Sequence, residues 1–133
     1  MANEIDLSLI LITDDLITSE NMFAEKLGIE QGLFKKKNGL IKKKNRVSWV
    51  LYSGCEYIEP IENHIDAINS KFPLDFKIKN PKYIIDGYVS LGVFCDPEET
   101  PFPSLGIPIK ELSKFLRVYE DLIFDIIFYP SSE

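Results

Sequence analysis

The chain has one histidine, one tryptophan and two cysteines in 133 residues, and these scarcities exclude much chemistry. A nucleophile triad needs a base, and His64 is the sole imidazole. It borders an isoleucine stripe, between Asn63 and Ile65, and reads as a partly exposed structural residue. Zinc sites use several closely spaced Cys or His ligands, which one histidine and two distant cysteines do not supply. Cys55 and Cys95 lack CxxC spacing and read as free thiols of a reducing compartment, so no disulfide is predicted. GxxxxGKS/T, GxGxxG and HExxH motifs are all missing. Asp14-Asp15 leads into a helix N-terminus, where paired acids serve the helix dipole. No metal, cofactor or enzymatic activity is therefore expected.

Long hydrophobic runs are missing too. Charges interrupt every apolar stretch well short of the roughly 18 to 20 residues a membrane helix needs. The first residues, "MANEIDLSLILITDD", carry acids ahead of a short apolar run, unlike the basic start of a secretory signal. A cytoplasmic location with no membrane partner is the expectation.

What is present is charge, unevenly placed. Residues 31–55 hold seven of the 15 basic residues and none of the 21 acids, leaving 21 acids against eight bases elsewhere, a balance of −13. A field of that sign repels nucleic acid and draws in basic partners. The basic island "KKKNGLIKKKNRVSW" contains Asn38-Gly39, a two-residue hairpin signal that would set Lys35 opposite Lys42. Facing like charges disfavour a long ribbon. An exposed basic loop or short frayed hairpin over residues 31–46 is predicted, its lysines solvated and no nucleic acid bound directly.

At 45% hydrophobic and 12% aromatic content, residues 1–133 read as a single domain. "IDLSLILI" alternates as a strand. "TSENMFAEKLG" offers Thr18 as N-cap, a face of Met22, Phe23 and Leu27, and Gly28 as the stop. "RVSWVLYSG" alternates Val47, Trp49 and Leu51 as a second strand, with Trp49 read as core. Ile58, Ile61, Ile65, Ile68 and Phe72 recur at helical spacing, with Pro60 in the first turn. "LDFKIK" and "YIIDGYVSLGVF" flank Asn80-Pro81 as a hairpin. Ile109, Leu112, Phe115 and Leu116 mark a third helix, and "DLIFDIIFY" is apolar enough for an interior strand. The class is α+β, with a mixed, largely antiparallel sheet of about five strands, helices mainly on one face, and the order β-α-β-α-β-β-α-β.

In the run "LITSENMFAEKLGIE", then "SWVLYSG", "IENHIDAI" and "IPIKELSKFLRVYEDLIFDIIFY", the chain resembles the bacterial domain-of-unknown-function family four-two-seven-nine. The family's tract before the tryptophan is short and mixed in charge, whereas here it is a lysine double run. The resemblance implies a single α+β domain without known activity, of a kind that looks like an immunity partner of a secreted polymorphic toxin.

The expected function is an immunity protein that binds and neutralises the C-terminal toxin domain, expected to be a basic nuclease, of a contact-dependent growth inhibition system. Candidate contacts are Glu59, Glu62, Asn63 and Asp66 on the polar face of the second helix and Asp96, Glu98 and Glu99 in the loop after "YIIDGYVSLGVF". Lys35, Lys36, Lys37, Lys42, Lys43 and Lys44 form a possible second contact. The alternative is a small-ligand or regulatory module whose uncovered sheet face forms a pocket lined by Tyr52, Tyr88 or Tyr129.

Overall fold

The computed structural model describes residues 4–37, 45–96, 98 and 106–130. Five strands form one sheet: β1 (Glu4–Asp14), β2 (Lys35–Lys37), β3 (Arg46–Tyr52), β4 (Ile84–Cys95) and β5 (Ile123–Pro130). Their spatial order is β2-β3-β1-β4-β5. All neighbours are antiparallel except β4 and β5, which run parallel. The helices are α1 (Glu20–Leu27), α2 (Ile61–Asn69) and α3 (Ile109–Leu112), with 3-10 turns at Pro81–Tyr83 and Ser113–Arg117.

One face of the sheet makes the core. Leu7, Leu9 and Leu11 of β1, Trp49 and Leu51 of β3, and Val89, Leu91 and Val93 of β4 pack against side chains of α1, α2 and the second 3-10 turn. Trp49 stacks on Phe23 with centroids 4.5 Å apart, and its indole N–H donates to Thr13 Oγ1 at 2.9 Å. Burying a large apolar side chain of this kind contributes about 1.5–3 kcal/mol. The polar tip therefore enters the core with its hydrogen bond satisfied.

Helix α1 ends as its sequence reads, with Gly28 at φ 68° closing it, but its N-cap is Ser19 rather than Thr18. Ser19 Oγ accepts from the Met22 N–H at 3.1 Å, the spacing a capping oxygen needs. Helix α2 buries Ile61, Ile65 and Ile68, while Ile58 lies outside it and exposed.

Three sequence expectations are corrected. "LDFKIK" forms no strand: Leu74 is 96% exposed and only Phe76 and Ile78 pack on the core. The segment enters β4 through a 3-10 turn, so the predicted hairpin is not made. The missing strand is supplied earlier, by Lys35–Lys37, and the order becomes β-α-β-β-α-β-α-β. β5 lies at a sheet edge, not in the interior. The third helix is α-helical for four residues only, then tightens, leaving Phe115 buried but Ile109 and Leu116 exposed.

Candidate protein-docking surface

Helix α2 presents Glu62, Asn63 and Asp66 to solvent, while Glu59, before the helix, is half-buried. The Glu59 carboxylate accepts from the Glu56 N–H at 3.0 Å and from Asn63 Nδ2 at 3.4 Å, so it stiffens the entry to α2. Asp66 pairs with Lys114 at 2.8 Å, and Lys114 also reaches Glu111 at 2.7 Å. These two bonds hold the Lys114 ammonium above the usual lysine range. Asp96 accepts from the Glu98 N–H at 2.9 Å in a tight turn. Glu99 lies outside the described residues.

A row of aromatic rings joins the segment before α2 to the ends of β4 and β5. Tyr57 stands just before α2, its carbonyl accepting from the Ile5 N–H at 2.7 Å, which ties this segment alongside β1. Its ring stacks on Phe94 at 5.9 Å and 16°, and Phe94 stacks on Tyr129 at 5.2 Å and 21°. Phe94 and Tyr129 are register partners on β4 and β5. On β1, Glu4 is the register partner of Phe94, so a carboxylate borders the row between the first two rings. Glu56 and Glu59 adjoin Tyr57 in the chain, and Asp96 and Glu98 follow Phe94. Tyr57 is 51% and Tyr129 42% exposed, with Phe94 half-buried between them. Gly92 makes room for the third ring, because a Cβ there would lie 3.3 Å from Tyr129. Exposed rigid rings with a charged rim are the composition of a protein interface.

Tyr57 and Phe94 were not singled out from the sequence. The available signal is weak, since their adjacency depends on the β1–β4 register and the path into α2.

Lys35, Lys36 and Lys37 form a short exposed arm paired with β3 rather than an open loop. In β2, Lys35, Lys36 and Lys37 stand opposite Val50, Trp49 and Ser48. Lys36 donates to the Thr18 carbonyl at 3.2 Å, Lys37 to the Tyr52 hydroxyl, and Lys35 lies 3.9 Å from Glu20. The Tyr52 bond raises the Lys37 pKa against a smaller opposing effect of burial. Lys42, Lys43 and Lys44, with the Asn38-Gly39 turn, lie outside the described residues.

His64 is 0% exposed, deeper than its sequence position suggests. Its Nδ1 is 2.7 Å from Ser53 Oγ, and its Nε2 is buried without a partner. This resembles half of a nucleophile–base pair, but both groups are sealed in the core, so the pair is structural. Asp14 Oδ1 accepts from the Leu16 N–H at 2.8 Å, a local turn contact. Among the described residues no group of three His, Cys, Asp or Glu is placed to hold a metal, and both cysteines are free. No described helix is long and apolar enough to cross a membrane.

Tyr52, Tyr88 and Tyr129 share the face away from the helices, but they do not converge. Tyr88 and Phe94 are six residues apart on one strand, about 20 Å. Tyr129 sits beside Phe94, and Tyr52 is bound to Lys37 on the far side of the sheet. Among the described residues, an apolar groove of about 190 Å³ lies instead on the helical face, between α3, its 3-10 extension and β5.

In comparisons with known proteins, no family model, no curated protein and no solved structure matches this chain.

Proposed function

We propose that the chain is a cytoplasmic immunity protein that binds and neutralises the C-terminal domain of a contact-delivered toxin, a basic nuclease. The observation that carries this reading is the Tyr57–Phe94–Tyr129 row, with Glu4 opposite Phe94 in register and Glu56, Glu59, Asp96 and Glu98 close to its rings in the chain. Exposed tyrosines provide large contact area at low entropic cost. Surrounding acids steer a basic protein onto them and raise the association rate. A net charge of −6 supports the same partner class.

Co-expression with the product of the reading frame immediately upstream, which this reading requires to end in a toxin domain, tests it. The two proteins are expected to co-purify, and the immunity protein to protect cells. Tyr57→Ala and Tyr129→Ala should each weaken the complex by about 2 kcal/mol, roughly 30-fold. Neutralising Glu56 and Glu59 should slow association and flatten its salt dependence. Lack of co-purification and protection would overturn the function. A tight complex insensitive to both tyrosine changes would move the site elsewhere.

A further inference from the structure

The two edges of the sheet are built differently. β2 ends one side with three lysines in succession, a sequence that blunts pairing with another chain. β5 ends the other with Ile-Phe-Asp-Ile-Ile-Phe-Tyr-Pro, in which Ile123, Ile126, Ile127, Phe128 and Tyr129 are all exposed. Among the described residues no strand pairs with its outer side. An apolar edge of eight residues is a template for a further strand.

The geometry points to a second copy of this chain as that strand's partner, with β5 pairing antiparallel to its own copy about a two-fold axis through Ile126. A two-fold axis normal to the sheet keeps both helical layers on one side and allows only registers centred on a residue. Centring on Asp125 would set the carboxylates directly opposite, which is destabilising. Centring on Ile127 would bring Pro130, which has no N–H, into the ladder opposite Phe124. Centring on Ile126 pairs Asp125 with Ile127, Ile123 with Tyr129 and Phe124 with Phe128. It leaves Pro130 beyond Ile123, outside the paired segment.

The groove supplies the second observation. Phe124 lines it, with Leu122 and Val89 on the sheet side and Ile109, Leu112 and Leu116 on the helical side. Phe124 and Phe128 point to the helical face, because their register partners Val89 and Val93 belong to the core. In the Ile126-centred register, Phe128 of the second copy stands beside Phe124 on that face, about 4.5–5.5 Å between Cβ atoms. It therefore reaches the groove mouth, where Ile109 is 82% and Leu116 51% exposed. The exchange is mutual, as two-fold symmetry requires, and each groove is completed by a residue of the other copy. The inference does not rest on the toxin reading: Tyr129 belongs to β5 as well as to the aromatic row, but the proposed pairing uses the backbone edge of β5 and the groove on the helical face.

Sedimentation of the isolated protein across a dilution series should give a dimer that dissociates reversibly. Phe128→Lys and Ile126→Lys should each weaken it by at least about 30-fold while leaving far-UV circular dichroism unchanged. In a Cys55→Ser background, Ile126→Cys should oxidise to a covalent dimer, whereas Ile123→Cys, opposite Tyr129, should not. A monomer at every concentration would overturn the proposal, as would a dimer indifferent to both lysine variants. Equal crosslinking at both positions would overturn the register. A monomer whose β5 amides gain exchange protection only with a toxin domain bound would assign the edge to that partner instead.

Discussion

Arg117 reaches from the 3-10 turn before β5 to the end of α2 and donates to the Asn69 carbonyl at 2.6 Å. The same guanidinium donates to Pro73 at 2.6 Å and to Phe72 at 3.2 Å. Three carbonyls at and beyond the end of one helix thus share a single cation, where a helix C-terminus favours positive charge. Arg117→Ala should lower stability by about 2–3 kcal/mol. Arg117→Lys should restore less than half of that, because a point charge cannot span the carbonyls as a planar fork does. Urea unfolding of the three proteins measures both, and full rescue by lysine would refute the geometric account.

Ser53→Ala should cost about 1–3 kcal/mol, since it leaves a second His64 ring nitrogen buried without a partner. In a His64→Leu background the same change should cost less, because no imidazole remains to be stranded. The lost bond from the Cys55 N–H to Ser53 Oγ is common to both backgrounds and cancels. Equal costs in the two backgrounds would contradict the coupling.

Burial pushes the Tyr119 phenol up, and Asp121, Asp86 and Glu120 add to the effect. In the unfolded chain tyrosine ionises near pH 10, whereas in the fold Tyr119 keeps its proton to higher pH. Proton release then favours the unfolded state as pH rises past about 10, so stability falls there. Lys37 and Lys114, also raised, act in the same direction, their folded-state advantage being lost at alkaline pH. Tyr119→Phe should make the alkaline decline of the unfolding midpoint shallower, with those lysine effects unchanged. An unaltered slope would dismiss the Tyr119 contribution.

Cys55 is raised chiefly by burial and next by the Glu59 charge, with Ser53 and Lys71 opposing. Glu59→Gln should therefore move the pH midpoint of Cys55 alkylation downward, read by mass spectrometry of the modified peptide. A midpoint that stayed or rose would show that Glu59 does not act on the thiol.

Several elements were legible because their pattern is local. The isoleucine spacing of α2, the alternation of β1 and β3, and the glycine stop after Leu27 depend on neighbours a few residues away. "LDFKIK" alternates equally well, yet a strand also needs an open edge to pair with, and here β3 takes Lys35–Lys37 instead. Backbone hydrogen bonds carry that pairing, so a run of lysines suffices at an edge although no pattern of apolar residues announces it.

The candidate docking acids were named from charge and helical phase, which is why Glu62, Asn63 and Asp66 do face solvent. That Glu59 and Asp66 are partly committed to internal contacts depends on Glu56 and Lys114, three and 48 residues away. Composition and periodicity by themselves determined an acidic α+β domain of about five strands, since amphipathic patterns and charge are properties of adjacent residues. Only the tertiary structure decided that β5 is an edge, that His64 is sealed, and that Tyr57, Phe94 and Tyr129 form one row. Each of these depends on strand order and register between segments distant in the chain, which local spacing does not encode.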